Sequence, residues 1–203
     1  MNDGDTFSID DAPGYTFKLR VESDEDAGPP WERSERSDGH GPVRSIRTPY
    51  GMHHQDLKRP GERVMDNGRG DYWLYDWQKA CQLAREDGWN AEPYDAPNRI
   101  ERAVQADFDF LRRWLRDDWR YVGVCVQLLD DEGEPTTERY EYALWGIESD
   151  CTEYIEEVAR ELAHECASAH ELLISQRRVA WRAALAERRE RTYWESRDVA
   201  TSL

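Results

Sequence analysis

The stretch YVGVCVQLLDDEGEPTTERYEYALWGIESDCTEYIEEVARELAHECASAHELL, Tyr121–Leu173, decides the fold. Its opening, Tyr121 to Leu129, is β-branched and apolar, the composition of a strand, and the turn Asp130-Asp131-Glu132-Gly133 follows it. Arg139 to Ile147 then places Tyr140, Tyr142 and Leu144 on one parity, the second strand of a hairpin. Beyond Gly146 the chain has neither glycine nor proline, and Ile155, Val158, Ala159, Leu162, Cys166, Ala169 and Leu173 recur at helical intervals. The spacing predicts one long C-terminal helix, or two joined by a kink near Ser168 or Ser175.

Working back towards the N-terminus, Ala103, Val104, Phe108, Leu111 and Leu115 recur with helical spacing up to Trp119, and Trp77, Ala80, Cys81 and Ala84 do the same before the stop at Gly88. Arg63 to Trp73 reads as a hairpin turned by Asp66-Asn67-Gly68 and Gly70. Val43 to Thr48 is a second short strand, and Tyr15 to Val21 alternates as a half-buried first strand. Residues 22–41 carry Pro, Gly, Ser and charges, and read as a long surface loop. The expected architecture is α+β: an antiparallel sheet built from hairpins, helices packed on one face, and a long C-terminal helix. Residues 1–14 are expected to be a flexible acidic arm, 15–165 the α+β domain, and 166–203 a C-terminal helical extension.

With 203 residues the chain suits one domain with an appendage, and its nine Trp and ten Tyr oppose wholesale disorder. Four cysteines stand far apart without zinc spacing, which fits reduced thiols in a cytoplasmic protein. The N-terminus has no basic and apolar leader pattern, and no apolar run is long enough to span a bilayer. The net charge is −16, and residues 101–176 hold 19 Asp/Glu against 7 Arg, a local balance of −12. Such a field opposes direct contact with nucleic acid or an anionic membrane and favours a basic protein surface.

Asp150, Glu153, Glu157, Glu161 and Glu165 step by three or four residues, with Glu156 beside them, so their carboxylates form a stripe on the last helix. Like charges at that spacing cost stability, which calls for basic neighbours or a basic ligand. The arginines of the end, from Arg177 to Arg197, are one source of neutralisation, within a monomer or across a dimer. A foreign basic surface that takes the stripe for a phosphate track is the other.

No nucleophile, phosphate or metal motif stands out, and the chain reads as non-enzymatic, with no cofactor. His164 and His170 in HECASAH are six residues apart and do not share a helix face as an i, i+4 pair would. Asp130 to Glu134 lacks the ligand spacing of an EF-hand and reads as a solvated tip. The RGD at Arg69 to Asp71 reads as part of a turn. His40, between Gly39 and Gly41, and the pair His53-His54 lie in loops; a structural role is the simpler account, and a small-substrate site there is the enzymatic alternative.

The blocks GHGPV (residues 39–43), RPGERV (59–64), YDWQKACQLAREDGWNA (75–91), RAVQADFDFLRRWLRDDWRYVGVCVQLLD (102–130) and LWGIESDCTEYIEEVARELA (144–163) resemble uncharacterised acidic hypothetical proteins encoded by tailed bacteriophages. The resemblance covers about two-thirds of the chain, leaving out residues 1–14 and the Arg-rich end, and carries no residue roles. It implies a small accessory protein of the host-cell cytoplasm, occupied with anti-defence or host takeover. Its expected partner is a basic host protein or nucleoprotein complex, bound and blocked by a nucleic-acid-mimicking stripe, with anchors among Trp31, Trp73, Trp145 and Trp194. The alternative is a homodimeric assembly protein in which Leu172, Val179, Trp181 and Leu185 form a helix–helix seam.

Overall fold

The computed structural model describes residues 1–33, 39–47, 52–89 and 97–200, with the side chains of residue 33 and of 194–200 excepted. The fold is α+β, with two antiparallel sheets and a long C-terminal helix. In chain order the elements are β1 (Thr6–Phe7), β2 (Thr16–Ser23), the one-turn helix α1 (Pro30–Arg33), β3 (Val43–Ile46), a 3-10 turn (His54–Leu57), β4 (Glu62–Asp66), β5 (Tyr72–Asp76), α2 (Trp77–Glu86), α3 (Arg99–Leu115), β6 (Tyr121–Leu129), β7 (Ala143–Glu148) and α4 (Thr152–Ala200). One sheet has the order β1-β2-β6-β7 and the other β3-β5-β4. The single sheet expected from the hairpins is therefore two, because β3 pairs with β5 and not with the first strand.

The chain divides into two compact units, Met1–Glu22 with Val124–Leu144 and Thr152–Leu203, and Ser23–Gly123 with Trp145–Cys151. In the second, β4 and β5 form the hairpin read from Asp66-Asn67-Gly68, in the register Met65↔Trp73 and Val64↔Leu74. Asp76 ends β5 and caps α2, accepting from the Lys79 N–H at 2.8 Å, so one residue closes the strand and starts the helix. The apolar faces of α2 and α3 close over this hairpin: Met65, Tyr75, Ala80, Ala84, Val104, Phe108 and Leu111 form a continuous buried cluster. β6 is buried on both faces along Val122–Val126, which explains its unbroken apolar run. Gly123 is required there, since a Cβ would lie 2.3 Å from the Trp145 ring.

In the first unit the expected flexible arm is instead ordered. Thr6 and Phe7 pair with Lys18 and Phe17, and Ile9 and Ala12 are buried. Short apolar residues spaced irregularly inside an acidic segment gave no periodic signal, yet Phe7 lies opposite fully buried Phe17 with ring centroids 5.7 Å apart. The strand expected from Arg139 begins only at Ala143; Tyr140 lies before it, exposed, donating to Glu22 at 2.9 Å.

α4 is one continuous helix through Ser168 and Ser175. Its buried line is Ile155, Val158, Ala159, Ala163, Cys166 and Ala167. The expected boundary at residue 166 is not a break in the helix but the place where burial ends. From Glu171 to Tyr193 only Ile174 and Leu185 are even half-buried, and these 23 residues extend about 34 Å at the helical rise. Among the described residues no helix is long and apolar enough to cross a membrane.

Candidate functional site: the exposed face of the C-terminal helix

The stripe read from the sequence is brought together in part. Glu153, Glu157, Glu161 and Glu165 are exposed on α4 and have no hydrogen bond or ion pair among the described residues. Glu156 is taken: its carboxylate receives the Met1 ammonium at 2.5 Å and Arg160 at 2.9 Å, and the ammonium holds its pKa below the ordinary carboxylate range. Asp150 belongs to the other unit, where Arg113 binds it at 2.5 Å. Four carboxylates, not six, are open.

The tail arginines do not cover these carboxylates within one chain. Arg177 follows Glu165 by twelve residues on the same unbroken helix, about 18 Å further along, and a helix does not fold back on itself. α4 thus carries net negative charge along Glu153–Glu165 and net positive charge from Arg177 onward.

Helical geometry also divides the expected dimer seam. Leu172 and Val179 are seven residues apart and share one face, whereas Trp181 and Leu185 lie on the other side, about 120–180° away at about 100° per residue. The first face is continuous. Glu165, Leu172, Val179, Ala186 and Tyr193 follow at seven-residue steps, and Tyr154, Glu161, Ser168, Ser175, Arg182 and Arg189 make the adjoining row. Leu172 and Val179 are 61% and 63% exposed on it, and Tyr154 is 48% exposed. The opposite face carries Trp181, 66% exposed, in line with Ile174 and buried Ala167.

The histidine loops are not one site. His40 Nδ1 lies 2.5 Å from Asp107 Oδ1, while Asp107 Oδ2 accepts from the Gly41 N–H at 2.8 Å and the Tyr75 hydroxyl at 2.6 Å. Burial, then the Asp107 charge, push the Tyr75 phenol far above its ordinary value, so it stays a donor. The His40 ring stacks on Phe110. Gly41 admits the Tyr75 ring, which a Cβ would meet at 2.3 Å. GHGPV thus clamps a loop to α3. His53 instead caps the 3-10 turn, and His54 stacks on Tyr72 at 3.9 Å. In HECASAH, Cys166 is buried, and burial pushes its thiol up to about 11; His170 meets Tyr15 edge-on, and His164 points to Asp11 at 3.8 Å.

Two groupings escaped the sequence reading. Glu148, Asp150 and Cys151 place ligand atoms within 4.8 Å of one another. Burial and then Asp150 push the Glu148 carboxyl up, and burial and then Glu148 raise the Cys151 thiol. With Asp150 already paired to Arg113, the trio forms a turn in which the Cys151 thiol donates to the Glu148 carboxylate at 3.7 Å. The second is a groove of about 550 Å³ beside β3, lined by Pro29, Trp31, Glu32, Val43, Arg44, Ser45, Trp73 and Trp114. Of the four expected anchors, Trp31 and Trp73 line this groove and Trp145 is 41% exposed on β7, while the side chain of Trp194 lies outside the described residues. The signal missed was Trp114, which helical periodicity assigns to a polar flank.

Compared with known proteins, the chain matches no family model, no curated protein and no solved structure.

Proposed function

We propose that the protein is a non-enzymatic interaction protein that associates with a second copy of itself through the exposed face of α4, with the two helices antiparallel. The observation that carries this reading is the order of side chains along that face: Glu161 and Glu165, then Leu172 and Val179, then Arg182 and Arg189. Such a sequence is complementary to its own reverse. A twofold axis beside residues 173 and 174 sets Glu165 against Arg182, Ser168 against Val179, Leu172 against Ser175 and Tyr154 against Tyr193 of the other copy. Parallel pairing would stack carboxylate on carboxylate and arginine on arginine.

The test is a charge swap. Arg182→Glu and Glu165→Lys should each shift the chain towards monomer in light scattering, and the double variant should restore the dimer. Single variants that leave the mass unchanged, or a double variant no better than either single, reject the arrangement.

A second reading is supported by the four open carboxylates. In it a monomer presents Glu153, Glu157, Glu161 and Glu165 to a basic, nucleic-acid-binding surface of a host factor, in keeping with the resemblance to acidic phage proteins. It leaves Leu172 and Val179 without a role, which is why it ranks second. A chain that stays monomeric at high concentration, and whose capture of a host protein is lost on Glu153, Glu157 and Glu161→Lys, would put it first.

A further inference from the structure

We propose that the groove beside β3 binds a quaternary ammonium head group. It lies in the unit apart from α4 and stands independently of the dimer. Trp31 and Trp114 meet at 82° with ring centroids 5.4 Å apart, so they wall a corner, and Trp73 supplies a third indole. Indole faces carry negative potential and attract a cation whose charge is spread over methyl groups, because such a cation loses little hydration on entering an apolar recess. All three rings are half-buried and pack against the core cluster formed by Met65, Tyr75 and Phe108, so the walls are already in place.

The charges at the groove select the same ligand. Glu32 is exposed at its lining and its carboxylate has no hydrogen bond or ion pair among the described residues. Arg44 would repel a cation, but its guanidinium is held by Glu62 through Nε and Nη2, both at 2.8 Å, and by the Leu57 carbonyl at 3.1 Å. Its charge is cancelled by a carboxylate that is almost fully buried. An anionic ligand would find Glu32 and an arginine already occupied. A neutral apolar ligand would gain nothing from Glu32. The volume of about 550 Å³ exceeds a trimethylammonium group and leaves room for the short chain that carries it.

The experiment is calorimetric titration of the full chain with choline, with N-acetyl-trimethyllysine amide, and with 3,3-dimethylbutan-1-ol, the neutral isostere of choline. Both cations should bind, the better of them identifying the source of the head group, and the isostere should bind about tenfold more weakly or not at all. Trp31→Ala should abolish binding. Glu32→Gln, an exposed change that leaves the fold intact, should weaken it about threefold. Equal binding of the isostere, no saturation by either cation below about 50 mM, or unchanged affinity in Glu32→Gln would each overturn the proposal.

Discussion

Glu62 is the one buried charged residue among those described, 6% exposed, and replacing it by Gln gives a sharp forecast. Its carboxylate accepts three bonds, from Arg44 Nε and Nη2 at 2.8 Å and from the Arg59 N–H at 2.7 Å. The amide keeps the shape but turns one acceptor into a donor aimed at a guanidinium. A charge-assisted bond contributes about 1.5–3 kcal/mol, but the Arg44 side chain is 35% exposed and recovers part of its hydration, so the net loss is about 2–3 kcal/mol. The pH dependence follows from the Arg44 bond, which holds the Glu62 carboxyl below its ordinary 4.5 against the opposing effect of burial. A carboxyl depressed in the folded state stabilises it above the unfolded value, and that contribution fades as pH falls through the folded value. Urea denaturation at pH 7 should therefore show a lower midpoint with an unchanged slope, and the gap between wild type and variant should narrow below about pH 4. A loss under about 0.5 kcal/mol, or a gap that widens in acid, would refute the assignment. The same variant frees the Arg44 charge beside the tryptophan groove, so choline affinity should fall with it.

Gly41→Ala should cost about 2–4 kcal/mol in urea, because the Tyr75 ring occupies the space a Cβ needs and is itself held by Asp107. In the native protein a thiol reagent should titrate one cysteine, Cys151; Cys81, Cys125 and Cys166 are buried, and burial pushes Cys125 and Cys166 up to about 11, so three more should react only after denaturation. Truncation after Gln176 should leave the melting temperature of dilute protein within a few degrees of wild type, since among the described side chains beyond it none is fully buried; a large fall would mean that the distal helix packs on its own chain.

Wherever burial is periodic, the sequence announces the element. The helices around Ala80–Ala84 and Val104–Leu115, the β4–β5 hairpin and the apolar β6 were all legible, since a repeat of 3.6 or 2 residues records which face is covered. What depends on chain segments meeting at a distance was not. Nothing local says that β3 joins β5 to make a second sheet, or that Thr6 and Phe7 pair with β2. The acidic stripe was legible from spacing, but its loss of Glu156 to the chain's own N-terminus and of Asp150 to Arg113 required tertiary structure. Trp31, Trp73 and Trp114 come from a one-turn helix, a strand and a long helix, so no window of sequence contains their groove.

The antiparallel dimer has a strength that its own side chains set. Leu172 and Val179 already lose close to two-fifths of their surface within one chain, being 61% and 63% exposed. Each therefore gains about 1–2 kcal/mol on full burial, or about 4–8 kcal/mol for the four side chains of two copies. Two Tyr154–Tyr193 pairs add about 0.5–1.5 kcal/mol each, and two Glu165–Arg182 pairs at the water's edge under about 1 kcal/mol each. Against these stands the loss of rotational and translational freedom, about 4 kcal/mol or more, and serine or alanine at the intervening positions contributes little. The middle of the range these terms leave, about 5 kcal/mol, describes a dimer with a Kd of about 0.2 mM. Because its register rests on ion pairs, raising sodium chloride from about 50 to 500 mM should weaken it severalfold. Sedimentation at about 10–500 µM covers the range. A nanomolar, salt-indifferent dimer would mean that the seam lies elsewhere, with Trp181 and Leu185 on the opposite face of the same helix the first place to look.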